Sequence, residues 1–316
     1  NVIKNMDVLF IVVGVALLVL GGNWLLKSAV GLSLKLNISK LVIGLTVVSF
    51  ATSAPELIIS VKSALDGFSD IALGNVVGSN IANIGLVLGA VLLINAVNVE
   101  RNFYVTDWPM KILASFLLFG FLVFNKDISR GEGIIFLLLL VIFVVYIIKK
   151  NKQITIELPS ETEEVLSNFL IVLFMFFGGF ALWAGSELLV KGAVNLAESF
   201  GVSERIIAVT VVSVGTCIPE LASSIIASIK KEADISIGNI IGSNIFNILC
   251  VLGITAIIKP IENIDEKMLS QDIYWMLGFA LILMPLVILP KRGSLFFKEG
   301  ILLLVAYAAF LYFTLT

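Results

Sequence analysis

Long apolar runs constrain the fold of this chain more than any other feature of its sequence. A membrane-spanning helix needs about 20 mostly apolar residues, and ten runs of suitable length lie between charged or turn-rich breaks. They cover residues 7–33, 39–65, 70–95, 105–124, 132–149, 167–197, 203–229, 234–258, 271–290 and 296–315. With 59% hydrophobic and 14% charged residues, a soluble domain could not bury this much apolar surface. We therefore predict an all-α membrane protein with ten transmembrane helices, in contact with the lipid bilayer.

The residue types that are missing or rare exclude several kinds of chemistry. The sequence has no histidine, which removes imidazole metal ligands, imidazole acid–base catalysis and a Ser-His-Asp triad. Its two cysteines are too few for a disulfide framework or a four-cysteine zinc site. The net charge of −2, with scattered basic residues, lacks the basic stripe that nucleic-acid binding needs. We expect no enzyme, no cofactor and no nucleic-acid partner, and the sequence implies no protein partner.

An internal duplication divides the chain into two halves. The string LTVVSFATSAPELIIS (45–60) matches VTVVSVGTCIPELASS (209–224), and DIALGNVVGSNIANIGLVLG (70–89) matches DISIGNIIGSNIFNILCVLG (234–253), both in the same register. We interpret 1–150 as the first repeat (signature 45–89), 151–166 as a short hydrophilic linker, and 167–316 as the second repeat (signature 209–253). Since five spans per half is an odd number, the second repeat is expected to cross the membrane with inverted topology.

The distribution of basic residues predicts the orientation. Ten spans put both termini on one side, and the opposite side holds more basic residues. That side carries Lys35, Lys40, Arg101, Lys149, Lys150, Lys152, Lys230, Lys231, Lys291, Arg292 and Lys298. The terminal side carries Lys4, Lys62, Lys126, Arg130, Arg205, Lys259 and Lys267. By the positive-inside rule, we expect a multi-pass cell-membrane protein with external termini and a cytoplasmic linker.

One carboxylate lies in the middle of the second span of each half, Glu56 and Glu220. A charge at this depth costs on the order of 2.5–3.5 kcal/mol and marks a functional site by default. The alternative is a structural ion pair, but no Lys or Arg lies within a helical turn of either glutamate. Pro55 and Pro219 precede them, and a proline interrupts the helical hydrogen-bond ladder. Carbonyl oxygens just before each proline are then available as ligands.

Further polar side chains fall on the same helix faces at spacings of three and four residues. In the second span of each half these are Ser49, Thr52, Ser53, Glu56 and Ser60, repeated as Ser213, Thr216, Cys217, Glu220 and Ser224. In the third span they are Asn75, Ser79 and Asn83, repeated as Asn239, Ser243 and Asn247. For Asn75 and Asn239, ion ligation and hydrogen bonding between helices are both open. Carboxylate, hydroxyl and amide oxygens suit hard cations such as Na⁺, Ca²⁺ and Mg²⁺.

These motifs resemble those of the calcium/cation antiporter superfamily, and specifically prokaryotic sodium/calcium exchangers. The resemblance rests on ATSAPE (51–56), GTCIPE (215–220), GSNIAN (78–83) and GSNIFN (242–247). It implies ten helices in two inverted halves, with Ca²⁺ and Na⁺ competing for sites between them. Glu56 and Glu220 would hold Ca²⁺ with the carbonyls of Thr52 and Thr216. Two sets of residues would form the flanking Na⁺ sites: Ser53, Ser79 and Asn83, and Cys217, Ser243 and Asn247, with the carbonyls of Ser49 and Ser213.

Two positions depart from the commonest pattern of this family. Cys217 replaces the usual serine, which weakens a hard-oxygen ligand. Asn247 stands where potassium-dependent relatives carry aspartate, which argues against K⁺ co-transport. The resemblance implies Na⁺/Ca²⁺ exchange by alternating access, electrogenic if three Na⁺ exchange for one Ca²⁺. A proton/calcium exchanger, a potassium-dependent exchanger and, from another class, a cation channel are the alternatives. Glu187 is expected to form an ion pair with Lys191, four residues on.

Overall fold

Helices make up nearly all the secondary structure of the chain. The computed structural model describes residues 2–99, 102–151, 166–200, 213–289 and 293–315. The helices are α1 (Val2–Leu36), α2 (Lys40–Thr52), α3 (Ala54–Leu65), α4 (Ser69–Ile94), α5 (Phe103–Asn125), α6 (Arg130–Asn151), α7 (Asn168–Ser199), α8 (Ile218–Ile229), α9 (Ala233–Ile258), α10 (Met268–Ile288) and α11 (Phe297–Leu315). A single helical turn, Ser213–Gly215, precedes α8.

Eight of these helices are long and apolar enough to cross a membrane alone: α1, α4, α5, α6, α7, α9, α10 and α11. Helices α2 and α3 together meet the same criterion as one span bent by 44°. Helix α8 covers the second part of the predicted run 203–229, while residues 203–212 lie outside the described part of the chain. Residues 152–165 of the predicted linker also lie outside it. The helical membrane fold is therefore confirmed. The number of transmembrane helices, ten, stays a prediction.

Each signature proline marks a break in a helix. Between α2 and α3, Ser53 adopts φ −85° and ψ 4°, and before α8, Cys217 adopts φ −89° and ψ 0°. Both values lie in the sparsely populated bridge region of backbone conformations. Pro55 and Pro219 then occupy the first turn of the following helix, where their missing N–H is tolerated. The two breaks share one backbone geometry.

Helices α4 and α9, which carry the second signature of each half, form the centre of the molecule. Within their most apolar stretches 72% and 89% of the residues are buried, against 28–39% in the other six single-helix spans. A helix that is buried on every side lies in the core of a bundle. The six others expose large apolar side chains such as Val12, Leu138 and Val172, as lipid-facing helices do.

The long helices α1 and α7 cross through glycines. Gly14 faces Gly185 and Gly21 faces Gly178, so closely that a β-carbon on Gly21 would lie 2.8 Å from the Gly178 carbonyl oxygen. Small residues allow helix backbones to approach in this way inside membranes. In the register of the duplication, Gly178 and Gly185 are the second-half equivalents of Gly14 and Gly21. Gly14 thus contacts the equivalent of Gly21, and Gly21 contacts the equivalent of Gly14. The two helices therefore run antiparallel.

Two short β contacts link loops of one half to loops of the other. Strand β1 (Val97–Asn98) pairs antiparallel with β2 (Ser294–Leu295). An isolated antiparallel bridge joins Ile128 to Ile261, and Ile261 is the second-half equivalent of Val97. These contacts hold the ends of the central helices in register across the two halves.

Candidate cation-binding site

The two signature glutamates lie side by side at the centre of the bundle. Glu56 is the third residue of α3 and Glu220 the third residue of α8, and both side chains are 0% exposed. The Ser53 hydroxyl, three residues before Glu56 in the chain, lies 3.3 Å from Glu220 Oε1, which places the two glutamates in the same region. Two carboxylates buried away from water are costly unless something pairs with them. The breaks before α3 and α8 therefore place two carboxylates in the core.

Most of the carboxylate oxygens have no hydrogen-bond partner among the described residues. Both oxygens of Glu56 and Oε2 of Glu220 are buried and unpaired. The Ser53 hydroxyl donates to the remaining oxygen, Oε1 of Glu220, at 3.3 Å. Buried polar atoms are nearly always satisfied, so oxygens without a protein partner are available to bind an ion. Three spare oxygens of two carboxylates fit a hard cation.

Asn83 and Asn247 are two further buried polar side chains, carried by the central helices α4 and α9. Both side chains are 0% exposed, and the Oδ1 and Nδ2 atoms of each have no partner among the described residues. Each asparagine begins a π-helical turn, Asn83–Leu88 in α4 and Asn247–Leu252 in α9. Such turns are rare and occur frequently at functional sites. Each half thus has an asparagine at the start of the same kind of π-helical turn.

Hydroxyl groups join the two halves around the glutamates. Thr52 Oγ1 lies 3.3 Å from Ser243 Oγ, and Ser79 Oγ lies 3.5 Å from Thr216 Oγ1. Thr216 and Ser243 are the second-half equivalents of Thr52 and Ser79. The two contacts are therefore the same contact made twice, with the halves exchanged. The structure brings these four predicted residues together with Glu56 and Glu220.

The remaining predicted residues, Ser49, Cys217 and Ser213, have different surroundings from one another. The Ser49 hydroxyl lies 2.8 Å from the Gly44 carbonyl oxygen and 3.0 Å from that of Asn239, and is fully buried. Cys217 is buried, with Sγ 3.8 Å from Thr216 Oγ1. Ser213 begins the turn before α8, and its side chain lies outside the described part of the chain.

Asn75 and Asn239 serve in hydrogen bonds between helices. Asn75 Nδ2 donates to the Glu56 carbonyl oxygen at 3.1 Å and to Ser60 Oγ at 2.9 Å. Asn239 Nδ2 donates to Ser224 Oγ at 3.0 Å, and its Oδ1 accepts from Thr52 Oγ1 at 3.1 Å. Of the two roles left open by the sequence, these contacts match the interhelical one.

A cavity of about 390 Å³ leads from one end of the bundle to the site. We call this end, where α4 and α10 begin and α11 ends, the terminal face. The cavity runs from Asp272 and Thr314 at this face to Ser79 and Thr216 beside the glutamates. At the other end, which we call the linker face, Gly44 of α2 packs against Gly238 of α9, and Lys40 forms a 3.0 Å ion pair with Glu232. The described residues thus leave the site more accessible from the terminal face.

A second cavity of about 200 Å³ reaches the same region beside α7. Its lining includes Glu187 and Thr216. The predicted ion pair of Glu187 with Lys191 is wrong, because the Lys191 ammonium lies over the Phe10 ring, 5.3 Å from its centroid. The long side chain of Lys191 can point away from Glu187, one helical turn earlier, and lie over the face of an aromatic ring instead.

Asp272 was not singled out from the sequence, and the structure places it on the wall of the cavity that leads to the site. It lies near the start of the predicted span 271–290, where a charge is ordinary and draws no attention. The structure shows that α10 begins earlier, with a π-helical turn over Met268–Asp272, and that Asp272 lines the cavity of about 390 Å³. The signal available in the sequence was the aspartate at a similar position of the first half, Asp107.

Comparisons with known proteins agree on one family. The sequence matches the family model described as "Sodium/calcium exchanger protein" over residues 6–149 and 170–316. CaxA of Alkalimonas amylolytica is 39% identical, covering 96% of this chain and 97% of that protein. The sodium/calcium exchanger MaX1 of Methanosarcina acetivorans is 29% identical, covering 97% and 98%. The inner membrane protein YrbG of Escherichia coli (strain K12) is 36% identical, covering 86% of each.

Solved structures of the sodium-calcium exchanger NCX_Mj share the fold. The structure from crystals soaked with zero Na⁺ and Ca²⁺ superimposes with a TM-score of 0.81 at 26% identity, covering 96% of this chain and 97% of that one. The structure from crystals soaked with 2.5 mM Na⁺ and 0.1 mM Ca²⁺ gives a TM-score of 0.79 at 27% identity, covering 96% of each chain.

Proposed function

The chain belongs to the sodium/calcium exchanger protein family, and from this premise we propose that it exchanges Na⁺ for Ca²⁺ across the membrane by alternating access. The observation that carries the proposal is the pair Glu56 and Glu220, fully buried and with three carboxylate oxygens unpaired among the described residues. Members of this family are exchangers of cations rather than enzymes. The resemblance to MaX1 and to NCX_Mj, whose crystals were soaked with Na⁺ and Ca²⁺ or Sr²⁺, supports these two ions.

Competition for the same carboxylates would make the two ions mutually exclusive. Two ionised glutamates give the centre a charge of about −2, which one Ca²⁺ neutralises. We infer that Ca²⁺ binds Glu56 and Glu220 with the carbonyls of Thr52 and Thr216. Two flanking sets of residues would take Na⁺: Ser53, Ser79 and Asn83, and Cys217, Ser243 and Asn247, with the carbonyls of Ser49 and Ser213. Three Na⁺ in exchange for one Ca²⁺ would make the cycle electrogenic.

The proposed architecture is ten transmembrane helices in two inverted halves. It is supported by contacts that recur with the halves exchanged, such as Thr52–Ser243 with Ser79–Thr216 and Gly14–Gly185 with Gly21–Gly178. A pseudo-two-fold axis in the membrane plane would allow the same packing to open toward either side. Helices α1 and α7, which meet through backbone contacts, would slide as the moving unit. The termini are proposed to lie outside the cell and the linker in the cytoplasm.

Separate ion gradients test the proposal in proteoliposomes containing the purified protein. Vesicles loaded with Na⁺ and diluted into Na⁺-free medium should accumulate ⁴⁵Ca²⁺ above its equilibrium concentration. Because one positive charge would leave for each Ca²⁺ that enters, an interior-positive potential should increase this uptake. One elementary charge is worth about 2.3 kcal/mol per 100 mV.

The other gradients decide between the alternatives. Uptake driven by a pH gradient in the absence of Na⁺ would identify a proton/calcium exchanger, and a requirement for K⁺ at fixed Na⁺ would identify a potassium-dependent one. A channel would let ⁴⁵Ca²⁺ equilibrate without accumulation. Proton-driven uptake or equilibration without accumulation would overturn Na⁺/Ca²⁺ exchange, and a K⁺ requirement would overturn exchange of Na⁺ and Ca²⁺ alone.

A further inference from the structure

We propose that Asp272 is a capture residue for Ca²⁺ in the cavity that opens on the terminal face. The inference rests on the proposed function and adds a residue that sets how readily the divalent ion reaches the site. It concerns access to Glu56 and Glu220 rather than ligation at them.

Asp272 is the one charged residue among the described residues that line the cavity of about 390 Å³. The rest of the lining is apolar or neutral, with polar groups from Asn75, Ser79, Thr216, Tyr307 and Thr314. The Asp272 side chain is half-buried, and no described residue forms a hydrogen bond or an ion pair with it. A carboxylate in this position is available to an arriving cation.

The cavity connects this carboxylate to the proposed ion site. Its volume is about 390 Å³ and its lining extends from Asp272 to Ser79 and Thr216, which contact each other at 3.5 Å. One water molecule needs roughly 10–15 Å³ in the same measure. A cation can therefore approach Asp272 while it is still hydrated.

The charged groups around Asp272 leave its surroundings negative. Asp265 and Lys267 both interact with it electrostatically. The backbone N–H of Asp265 donates to Asp70 Oδ1 at 2.8 Å, which adds a third carboxylate at this face. Narrow clefts lined by one sign of charge raise the local concentration of counter-ions. The attraction is twice as strong for Ca²⁺ as for Na⁺ at the same distance.

The first half carries a related carboxylate on the other face. Asp107 ends the π-helical turn Phe103–Asp107 of α5 as Asp272 ends the turn of α10. Asp107 is 3% exposed and lines a cavity of only about 10 Å³ together with Asp234. The cavity beside Asp107 is thus far smaller than the one beside Asp272, and we expect removal of Asp272 to affect the terminal face alone.

The test measures ⁴⁵Ca²⁺ uptake by Asp272→Asn in right-side-out and inside-out membrane vesicles, with ionic strength set by choline chloride. At low ionic strength the Ca²⁺ concentration for half-maximal uptake should rise about three- to tenfold in the vesicles that expose the terminal face. The maximal rate should stay unchanged. The difference should shrink as the ionic strength increases, because salt screens the charge. The Na⁺ concentration for half-maximal exchange should change by about the square root of the factor found for Ca²⁺, because Na⁺ carries half the charge.

Asp66→Asn is the matched control, since Asp66 is the C-cap residue of α3 at the same face and does not line the cavity of about 390 Å³ that reaches Ser79 and Thr216. Asp272→Glu should restore the wild-type Ca²⁺ dependence. Equal shifts in both Asn variants, or a shift in both vesicle orientations, would overturn the capture role, as would a lower maximal rate with unchanged half-saturation. If the wild type shows no Na⁺-driven uptake, the proposed function fails instead.

Discussion

At the scale of single residues, the predicted site residues of the two halves differ at one pair of equivalent positions, Ser53 and Cys217. Both residues hold the same bridge-region backbone conformation at the break before a signature proline. The Ser53 hydroxyl donates to Glu220, whereas Cys217 offers a thiol that is a weak donor and a soft ligand. The proposed site is therefore asymmetric in ligand softness, although the backbone at the two breaks is nearly symmetric.

Replacing this sulfur by oxygen should change the preference for metals. Cys217→Ser should require about tenfold more Cd²⁺ for half-inhibition of Ca²⁺ uptake, a difference of ~1.4 kcal/mol, because Cd²⁺ favours sulfur over oxygen. It should also lower the Na⁺ concentration for half-maximal exchange. Cys250→Ser is the control, since Cys250 is the other buried cysteine and lies in the π-helical turn of α9. Equal Cd²⁺ sensitivity of wild type and Cys217→Ser would contradict a place for Cys217 in the site.

At the scale of helices, the sequence predicted boundaries well and local distortions poorly. The run 234–258 corresponds to α9 (Ala233–Ile258), because charged residues mark both ends of the apolar stretch. The breaks at Ser53 and Cys217 were foreseeable from the prolines. The π-helical turns at Asn83 and Asn247 were not, since they depend on tertiary packing and leave no periodic signal. Asp272 was overlooked because α10 starts earlier than predicted. The residue therefore lies on a cavity wall and not at the end of the span.

The crossing of α1 and α7 should tolerate no added methyl group. A β-carbon on Gly21 would lie 2.8 Å from the Gly178 carbonyl oxygen and from the Leu182 backbone nitrogen. Gly21→Ala should therefore lower the free energy of unfolding by about 1–3 kcal/mol and slow transport. Thermal unfolding of the purified protein, together with initial ⁴⁵Ca²⁺ uptake rates, measures both effects.

Gly120→Ala provides the control for this helix contact. A β-carbon on Gly120, in α5, would meet nothing within 4 Å, so the substitution should leave stability and transport unchanged or slightly improve stability. Wild-type stability and rates in Gly21→Ala would mean that α1 and α7 do not meet through their backbones.

At the scale of the whole molecule, the site exists only where both halves meet. The duplication allowed the glutamates and their neighbours to be predicted from sequence, because Pro, Glu, Asn and Ser recur in one register. Their convergence was expected only through the family resemblance, and the structure adds the contacts Ser53–Glu220 and Thr52–Ser243 between halves. Residues 203–212, which lead into the second break, lie outside the described part of the chain. A shared centre would explain how the proposed exchange moves two ions without binding both together.

Equilibrium ⁴⁵Ca²⁺ binding to the purified protein, titrated with Na⁺, tests this shared centre most directly. The wild type should bind Ca²⁺, and Na⁺ should displace it completely and steeply. Glu56→Gln and Glu220→Gln should each lose Ca²⁺ binding, because either substitution removes half of the charge that holds the ion. Glu187→Gln, which removes a carboxylate from the wall of the second cavity, should bind as the wild type does. Ca²⁺ binding that survives in either signature variant, or that Na⁺ fails to displace, would contradict a single site shared by both halves.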